Sequence, residues 1–289
     1  MKKLTSPLVL KQLLHENSFR FSKSLGQNFL IDDSVLDAII EGAEIDENSC
    51  VLEVGPGFGT LTQRLCMSAK KVVCVEIDKD VLPILNESIS EFDNVTVINA
   101  DIMKTDIAAL IKKEFGAERV KVCANLPYYI TSPVITALLD PSLPIDGITV
   151  MIQKEVAERI AAKPGTKSYG ALTAAVTYYA NPQILKDVPP SAFMPQPKVW
   201  SSVIRLKMRE KPAAEVKSEE MFFKVVRASF ALRRKTLLNA LTKSAEFSLS
   251  KDEAAHILES AGIDPQRRGE TLSLDEFAKI ADSIGGVHK

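Results

Sequence analysis

The sequence predicts an α/β protein in which a doubly wound, mostly parallel sheet precedes a small all-helical C-terminal domain. Apolar, β-branched runs alternate with helical patterns from residue 33 to about 160, and these runs are apolar throughout. Strands of this kind are typical of a parallel sheet covered by helices on both faces. The tail is predicted separately, because residues 220–289 have a helical pattern and no strand signal.

Five runs have the length and composition of buried strands. In chain order they are 50–54, 71–77, 94–100, 120–126 and 147–153. Right-handed crossovers through the intervening helices give a doubly wound sheet. After residue 183, two β-rich runs flank a proline-rich loop with no helix between them, which predicts an antiparallel pair at one edge. The predicted sheet therefore has seven strands, the last one antiparallel.

A charged segment, residues 209–219, contains a proline and is typical of a domain boundary. We predict a first domain over 1–209 and a helical second domain over 210–289. Two S-x-x-E capping boxes, Ser250 with Glu253 and Ser273 with Glu276, predict helix starts in the second domain.

Bulk composition excludes several classes of protein. The net charge is −1, so any surface for nucleic acid must be local. The four cysteines lack CxxC spacing and the three histidines are scattered, so we expect neither a disulfide framework nor a metal site. Pro7 and Lys11 interrupt the apolar run near the N-terminus, so we do not expect a signal peptide. No apolar run reaches the roughly 18 residues that a transmembrane helix needs. We expect a cytoplasmic monomer.

A glycine-rich loop follows the first predicted strand. The sequence VLEVGPGFGTLT places Gly55, Gly57 and Gly59 between a strand and a helix, where the backbone must turn tightly. Its spacing is GxGxG, not the GxGxxG of dinucleotide-binding loops. Glu53 would put a carboxylate near the cationic end of a sulfonium-bearing ligand.

Two more carboxylates follow the next two strands. Glu76 ends the second strand, where a carboxylate can accept both hydrogen bonds of a ribose diol, and Asp101 follows the third. Asp101 can accept from an adenine amino group. Because the carboxyl ends of parallel strands meet at one sheet edge, the glycine loop and these carboxylates should lie together. Their combination indicates a site for S-adenosylmethionine rather than a glycine loop that only forms a tight turn.

The fourth predicted strand ends in Asn125-Leu126-Pro127-Tyr128. An adenine amino nitrogen is a poor nucleophile, and two fixed acceptors on its hydrogens would stabilise the positive charge that grows on it. The Asn125 side chain offers one oxygen and the Leu126 carbonyl the other, with Pro127 restricting the backbone. Tyr128 offers a face for base stacking.

This NLPY tetrad resembles the Asn/Asp-Pro-Pro-Tyr/Phe motif of amino-group methyltransferases. Together with GQNFLI (26–31), EVGPGFGTLT, NLPYYITSP (125–133) and FMPQPKVWSSV (193–203), it resembles the bacterial small-subunit ribosomal RNA adenine dimethyltransferase family over nearly the whole chain. The family often has an aromatic residue before GQNFL, where this chain has Leu25; we interpret this as a packing change.

The resemblance implies a Rossmann-like class I methyltransferase fold. It also implies an enzyme that converts two adjacent adenosines near the 3′ end of 16S rRNA to N6,N6-dimethyladenosine. By position it implies that these residues contact S-adenosylmethionine: Gln27, Asn28, Leu30, Gly55, Gly57, Glu76, Ile77, Asp101, Ile102 and Asn125. Catalytic roles are implied for Asn125, Leu126, Pro127 and Tyr128. Phe193 would form a second aromatic wall, opposite Tyr128.

Two basic segments are candidates for RNA contact. In a continuous helix over 222–241, Lys224, Arg227 and Arg234 share one stripe beside an apolar stripe. An N-terminal arm that includes Lys23 is also basic. Such surfaces suit RNA that is read largely by shape, although an ordinary solvated face has the same pattern. On the resemblance, the partner is the small ribosomal subunit.

Three alternatives stay open at this point. The macrolide-resistance enzymes that methylate large-subunit RNA share the QNF and NLPY elements, although GQNFL and FMPQPKVWSSV favour the small subunit. A ribosome-assembly factor that acts mainly by binding is an alternative of another class. A DNA adenine methyltransferase is a more distant one. Transfer of two methyl groups rests on the resemblance alone.

Overall fold

The computed structural model describes residues 2–17, 19 and 26–287, with side chains described as far as residue 284. Contacts between Cα atoms divide the chain into two compact units. The first comprises residues 1–157 and 181–208 and is built around a sheet. The second comprises residues 158–180 and 209–289 and is built around helices.

Nine strands form in the described ranges. They are β1 (Phe29–Leu30), β2 (Cys50–Val54), β3 (Lys71–Glu76), β4 (Val95–Asn99), β5 (Val120–Asn125), β6 (Ile145–Gln153), β7 (Ala180–Val188), β8 (Phe193–Met194) and β9 (Ser201–Met208). Seven make one sheet in the order β4-β3-β2-β5-β6-β9-β7, and β1 pairs with β8 separately. Strands β2 to β6 pair in parallel, whereas β9 is antiparallel to β6. The predicted sheet is confirmed.

Helices occupy the connections and the C-terminal region. They are α1 (Pro7–Glu16), α2 (Asp33–Gly42), α3 (Thr60–Ser68), α4 (Leu82–Ser88), α5 (Ile107–Phe115), α6 (Thr131–Leu138), α7 (Lys154–Ile160), α8 (Ala171–Tyr179), α9 (Glu219–Ala231), α10 (Leu237–Thr242), α11 (Lys251–Ser260) and α12 (Leu274–Val287). Among the described residues, none of these helices is long and apolar enough to cross a membrane.

The centre of the sheet explains where a site can form. Every residue of β2 is buried, and β3 and β5 pair with it on either side. Because all three strands are parallel, their carboxyl ends meet at one edge. The loops after Val54, Glu76 and Asn125 therefore converge there, at the sheet edge where open α/β folds bind ligands.

The helical unit includes a segment that the sequence assigned to the first domain. Tyr169 and Tyr178 are buried in the same apolar cluster as Phe222 and Phe277, and Tyr178 stacks on Phe222 with ring centroids 4.6 Å apart. The observed division thus differs from the predicted boundary, which kept 158–180 with the sheet. Periodicity could not indicate this, because the packing partners of these tyrosines come much later in the chain.

The helix predicted over residues 222–241 is two helices. Helix α9 ends at Ala231, and α10 starts at Leu237, whose backbone N–H donates to the carbonyl of Arg267 at 2.7 Å. This break allows Leu237 and Leu241 to be fully buried. Arg234 consequently lies in the loop between the helices, and the predicted stripe that joined it to Lys224 and Arg227 was wrong.

Both predicted capping boxes form. Ser250 Oγ accepts from the Glu253 N–H at 3.2 Å, and Glu253 Oε2 accepts from the Ser250 N–H at 2.8 Å. Ser273 and Glu276 exchange the same pair of bonds. These contacts fix the first turns of α11 and α12.

Replacing Ser250 with alanine should lower the free energy of unfolding by about 1 kcal/mol, because the Glu253 N–H loses its acceptor. Ser250→Asp keeps an acceptor at the same position and should unfold close to the parent protein. Denaturant unfolding followed by circular dichroism measures both. An equal loss in the two variants would mean that the cap bond does not stabilise α11.

Candidate active site

A cavity of about 280 Å³ lies at the carboxyl edge of the sheet. It is lined by the NLPY residues Asn125, Leu126, Pro127 and Tyr128. It is also lined by every residue expected to contact a cofactor: Gln27, Asn28, Leu30, Gly55, Gly57, Glu76, Ile77, Asp101, Ile102 and Asn125. The structure thus brings these predicted residues to one place, although the sequence scatters them over about a hundred positions.

The glycine loop is shaped as its sequence predicts. Gly57 has φ +58°, and a Cβ on it would come within 2.9 Å of the Phe29 ring. Its backbone N–H donates to Glu76 Oε2 at 3.1 Å. Only glycine combines this left-handed conformation with such close packing, so the loop after β2 is fixed against both β1 and the end of β3.

Glu76 is held in place by backbone donors. Its Oε1 accepts from the Asp78 N–H at 2.9 Å, in addition to the bond from Gly57. Burial raises the pKa of its carboxyl, and the two backbone hydrogen bonds act in the opposite direction. An ionised carboxylate has about four acceptor positions. Glu76 therefore retains capacity to accept hydrogen bonds from a ligand in the cavity.

Glu53 is the most buried acid of the site. Its residue is only 1% exposed, and its β2 position pairs with Cys74 on one side and Cys123 on the other. The Cys74 thiol donates to Glu53 Oε2 at 3.3 Å. Burial raises the pKa of the Glu53 carboxyl to about 7. This carboxyl therefore titrates near neutral pH, unlike an exposed glutamate.

The third carboxylate of the cavity, Asp101, caps the turn that follows it. Asp101 Oδ1 accepts from the Met103 N–H at 3.0 Å and so caps the short 3-10 turn Ile102–Lys104. Ile77 and Met103 also line the cavity and remain about half exposed. Exposed apolar side chains at a cavity wall offer a surface for an aromatic ring. Met103 was not predicted as a site residue, although its position two residues after Asp101 could have indicated it.

Asn125 is oriented by the segment that precedes the sheet. Its Nδ2 donates to the backbone carbonyl of Asn28 at 2.9 Å. Asn28 Nδ2 in turn donates to the Gly26 carbonyl at 3.0 Å. With its amide nitrogen engaged, Asn125 keeps Oδ1 as an acceptor, and no donor from the described residues reaches that oxygen. The GQNFL motif therefore sets the orientation of the NLPY amide.

The second predicted acceptor and the predicted stacking face are adjacent. The Leu126 N–H donates to the Met151 carbonyl at 3.1 Å, which anchors the loop to β6. Within the described part of the chain, no donor reaches the Leu126 carbonyl. Tyr128 is partly exposed, and its hydroxyl lies 2.9 Å from Ser201 Oγ. That bond fixes the position of the ring. Ser201 lies within the FMPQPKVWSSV motif, but its contact with Tyr128 was not predicted.

Phe193 does not line this cavity, contrary to expectation. It is only 2% exposed, pairs with Leu30 across the β1–β8 sheet, and packs in an apolar cluster. A phenyl ring in this short sheet is stabilised by burial rather than presented to a ligand. The structure adds two aromatic residues to the cavity, the buried Phe29 and Tyr129, which is 56% exposed.

Two of the four cations predicted to contact RNA are paired with acidic side chains. Lys224 Nζ lies 2.7 Å from Glu220 Oε1. The Arg227 guanidinium donates two hydrogen bonds to the Glu246 carboxylate oxygens, at 2.7 and 2.9 Å. Arg234 is exposed, and no acidic partner is found for it among the described residues. Lys23 lies outside the described residues. Charge patterning alone could not separate paired from unpaired cations.

Comparison with known proteins agrees with this geometry. The family described as ribosomal RNA adenine dimethylase matches residues 18–284. Ribosomal RNA small subunit methyltransferase A from Lachnoclostridium phytofermentans is 51% identical over 285 residues, which cover 98% of this chain and 98% of that protein.

Two solved structures share the fold across most of the chain. A dimethyladenosine transferase from Plasmodium falciparum has a TM-score of 0.72 and 26% identity, covering 87% of this chain and 95% of that one. The 23S rRNA methyltransferase ErmE has a TM-score of 0.67 and 26% identity, covering 89% and 100% respectively. With the cavity, the NLPY loop and the family match in agreement, the chain belongs to the ribosomal RNA adenine dimethylase family.

Proposed function

We propose that this protein dimethylates the N6 amines of two adjacent adenosines near the 3′ end of 16S rRNA, with S-adenosylmethionine as methyl donor. One observation carries the proposal: the hydrogen bond from Asn125 Nδ2 to the Asn28 carbonyl leaves Asn125 Oδ1 as the acceptor at the cavity. The 51% identity to a small-subunit methyltransferase supports the choice of substrate.

The cavity residues fit this cofactor. Glu76 would accept from the ribose diol and Asp101 from the adenine amino group, while Ile77, Ile102 and Met103, which line the same cavity, would supply apolar contact for the ring. Glu53 supplies a carboxylate for the cationic part. When bound, the cofactor supplies an electrophilic methyl group on a sulfonium. These assignments rest on acceptor chemistry and on a shared cavity lining.

The reaction demands little of the protein beyond positioning. Asn125 Oδ1 and the Leu126 carbonyl accept the two amine hydrogens, which favours pyramidal nitrogen and stabilises its developing positive charge. Tyr128 holds the base by stacking, with its hydroxyl tied to Ser201. The proton leaves readily once nitrogen is charged, so no strong general base is required. A monomethylated amine retains one N–H for either acceptor, which permits a second transfer.

A large-subunit substrate is the second candidate, because ErmE has the same fold over 89% of this chain. To separate the two, tritiated cofactor is supplied with purified small and large subunits lacking the modification. We expect label in 16S rRNA, and mass analysis should identify two dimethyladenosines. Label confined to 23S rRNA would replace the proposed substrate with the alternative.

Asn125→Ala should reduce turnover by about 10²–10³-fold, the loss expected when one oriented polar group no longer stabilises developing charge. Cofactor affinity should change little, because the other cavity contacts remain. Methyl transfer under single-turnover conditions and calorimetric titration with S-adenosylmethionine check the two parts. Near-normal transfer by the folded variant would contradict the role of Oδ1.

The affinity for S-adenosylmethionine should rise as pH increases through about 7, because the Glu53 carboxyl, whose pKa burial raises, then becomes ionised and attracts the cationic ligand. One linked proton limits the change to about tenfold per pH unit. In Glu53→Gln the affinity should depend less on pH over the same range. Calorimetry at several pH values compares them, and an identical pH dependence would exclude Glu53 as the linked group.

Arg234→Gln should weaken RNA binding and make the salt dependence shallower, by roughly 0.7–0.9 in the log–log slope per lost phosphate contact. Lys224→Gln is the matched control, because Lys224 is already paired with Glu220 and should contribute less. Binding of unmethylated small subunits is measured over a range of salt concentrations. Equal slopes for Arg234→Gln and the parent protein would exclude this contact.

A further inference from the structure

We propose that the exposed ring of Trp200 is a stacking platform for the nucleotide that flanks the target adenosine. The inference rests on the proposed function and extends it to a second base of the same RNA strand. Trp200 is the only tryptophan in the chain, and it is 51% exposed. Large aromatic side chains are normally mostly buried, so an exposed one requires an explanation.

The location of Trp200 places it near the catalytic loop. It immediately precedes Ser201, the residue whose hydroxyl lies 2.9 Å from the Tyr128 hydroxyl. Ser201 pairs with Gln153 at the carboxyl end of β6, and β6 is parallel to β5. Trp200 therefore lies at the same sheet edge as Asn125. It is separated from β5 by two strand spacings, about 10 Å.

Contacts with Lys154 help to hold the Trp200 ring in place. The Lys154 N–H donates to the Trp200 carbonyl at 2.9 Å, and Lys154 Nζ lies over the ring, 5.9 Å from its centroid. The same ammonium pairs with Asp187, whose second oxygen accepts from Ser202 Oγ at 2.7 Å. A cation within about 6 Å of the ring centroid is attracted to the face of the indole, so this contact helps to orient the ring.

The surroundings suit single-stranded RNA better than a protein partner. Lys198 is exposed two residues before Trp200 and supplies a positive charge for the phosphate backbone. Tyr129, also exposed, follows Tyr128 directly. Aromatic rings interleaved with cations form the usual platform for unstacked bases. A base displaced from its neighbours when the target adenosine enters the cavity would find a replacement stacking partner in Trp200.

The test compares Trp200→Leu with Trp200→Phe. Leucine keeps an apolar side chain but has no π face, whereas phenylalanine keeps the face. With unmethylated small subunits, Trp200→Leu should lower kcat/KM by about 5–150-fold, the range of one base–aromatic stack. Trp200→Phe should retain most of the activity. Both should bind S-adenosylmethionine as the parent protein does, which controls for folding.

A direct signal comes from the fluorescence of the single tryptophan. A short labelled oligoribonucleotide with two adjacent adenosines should quench this fluorescence on binding. Unchanged fluorescence when anisotropy shows the oligonucleotide bound would overturn the proposal, as would equal kcat/KM for the leucine and parent proteins. If only large-subunit RNA is methylated, the same pair of variants tests stacking on that RNA.

Discussion

The hydrogen bond from Asn125 Nδ2 to the Asn28 carbonyl is the constraint on which the site depends. An amide side chain presents either a donor or an acceptor to a ligand, and the two choices have opposite effects on an amine. Engaging the nitrogen with a backbone carbonyl decides the choice in favour of the oxygen. The loop before the sheet, far away in sequence, therefore decides that the NLPY loop after β5 presents the Asn125 oxygen to the cavity.

The same sheet edge uses two buried glutamates in different ways. Glu76 receives backbone N–H groups from Gly57 and Asp78, which favour its ionised form and fix its direction. Glu53 lies between two cysteines, where a thiol is its hydrogen-bond donor and burial dominates its pKa. Glu76 is thus an acceptor that backbone donors hold in place, whereas burial raises the pKa of the Glu53 carboxyl to about 7.

Much of this was predictable from the sequence, for identifiable reasons. Parallel pairing brings the glycine loop and the carboxylates at the ends of the next two strands to one sheet edge. All the residues that were expected to contact the cofactor line one cavity there. Phe193 and Arg227 were not predictable. The inward packing of Phe193 depends on the β1–β8 pair, and the neutralisation of Arg227 depends on Glu246, a contact between separate segments. Such tertiary contacts leave no periodic signal in the local sequence. The break between α9 and α10 left no such signal either.

The central claim is tested most directly by a crystal structure of the protein with S-adenosylhomocysteine and an adenosine-containing oligoribonucleotide. The account predicts that N6 of the target base lies about 3 Å from both Asn125 Oδ1 and the Leu126 carbonyl oxygen, with Asn125 Nδ2 still bonded to the Asn28 carbonyl. An adenine amine facing Nδ2, or either oxygen turned away from the bound base, would contradict it.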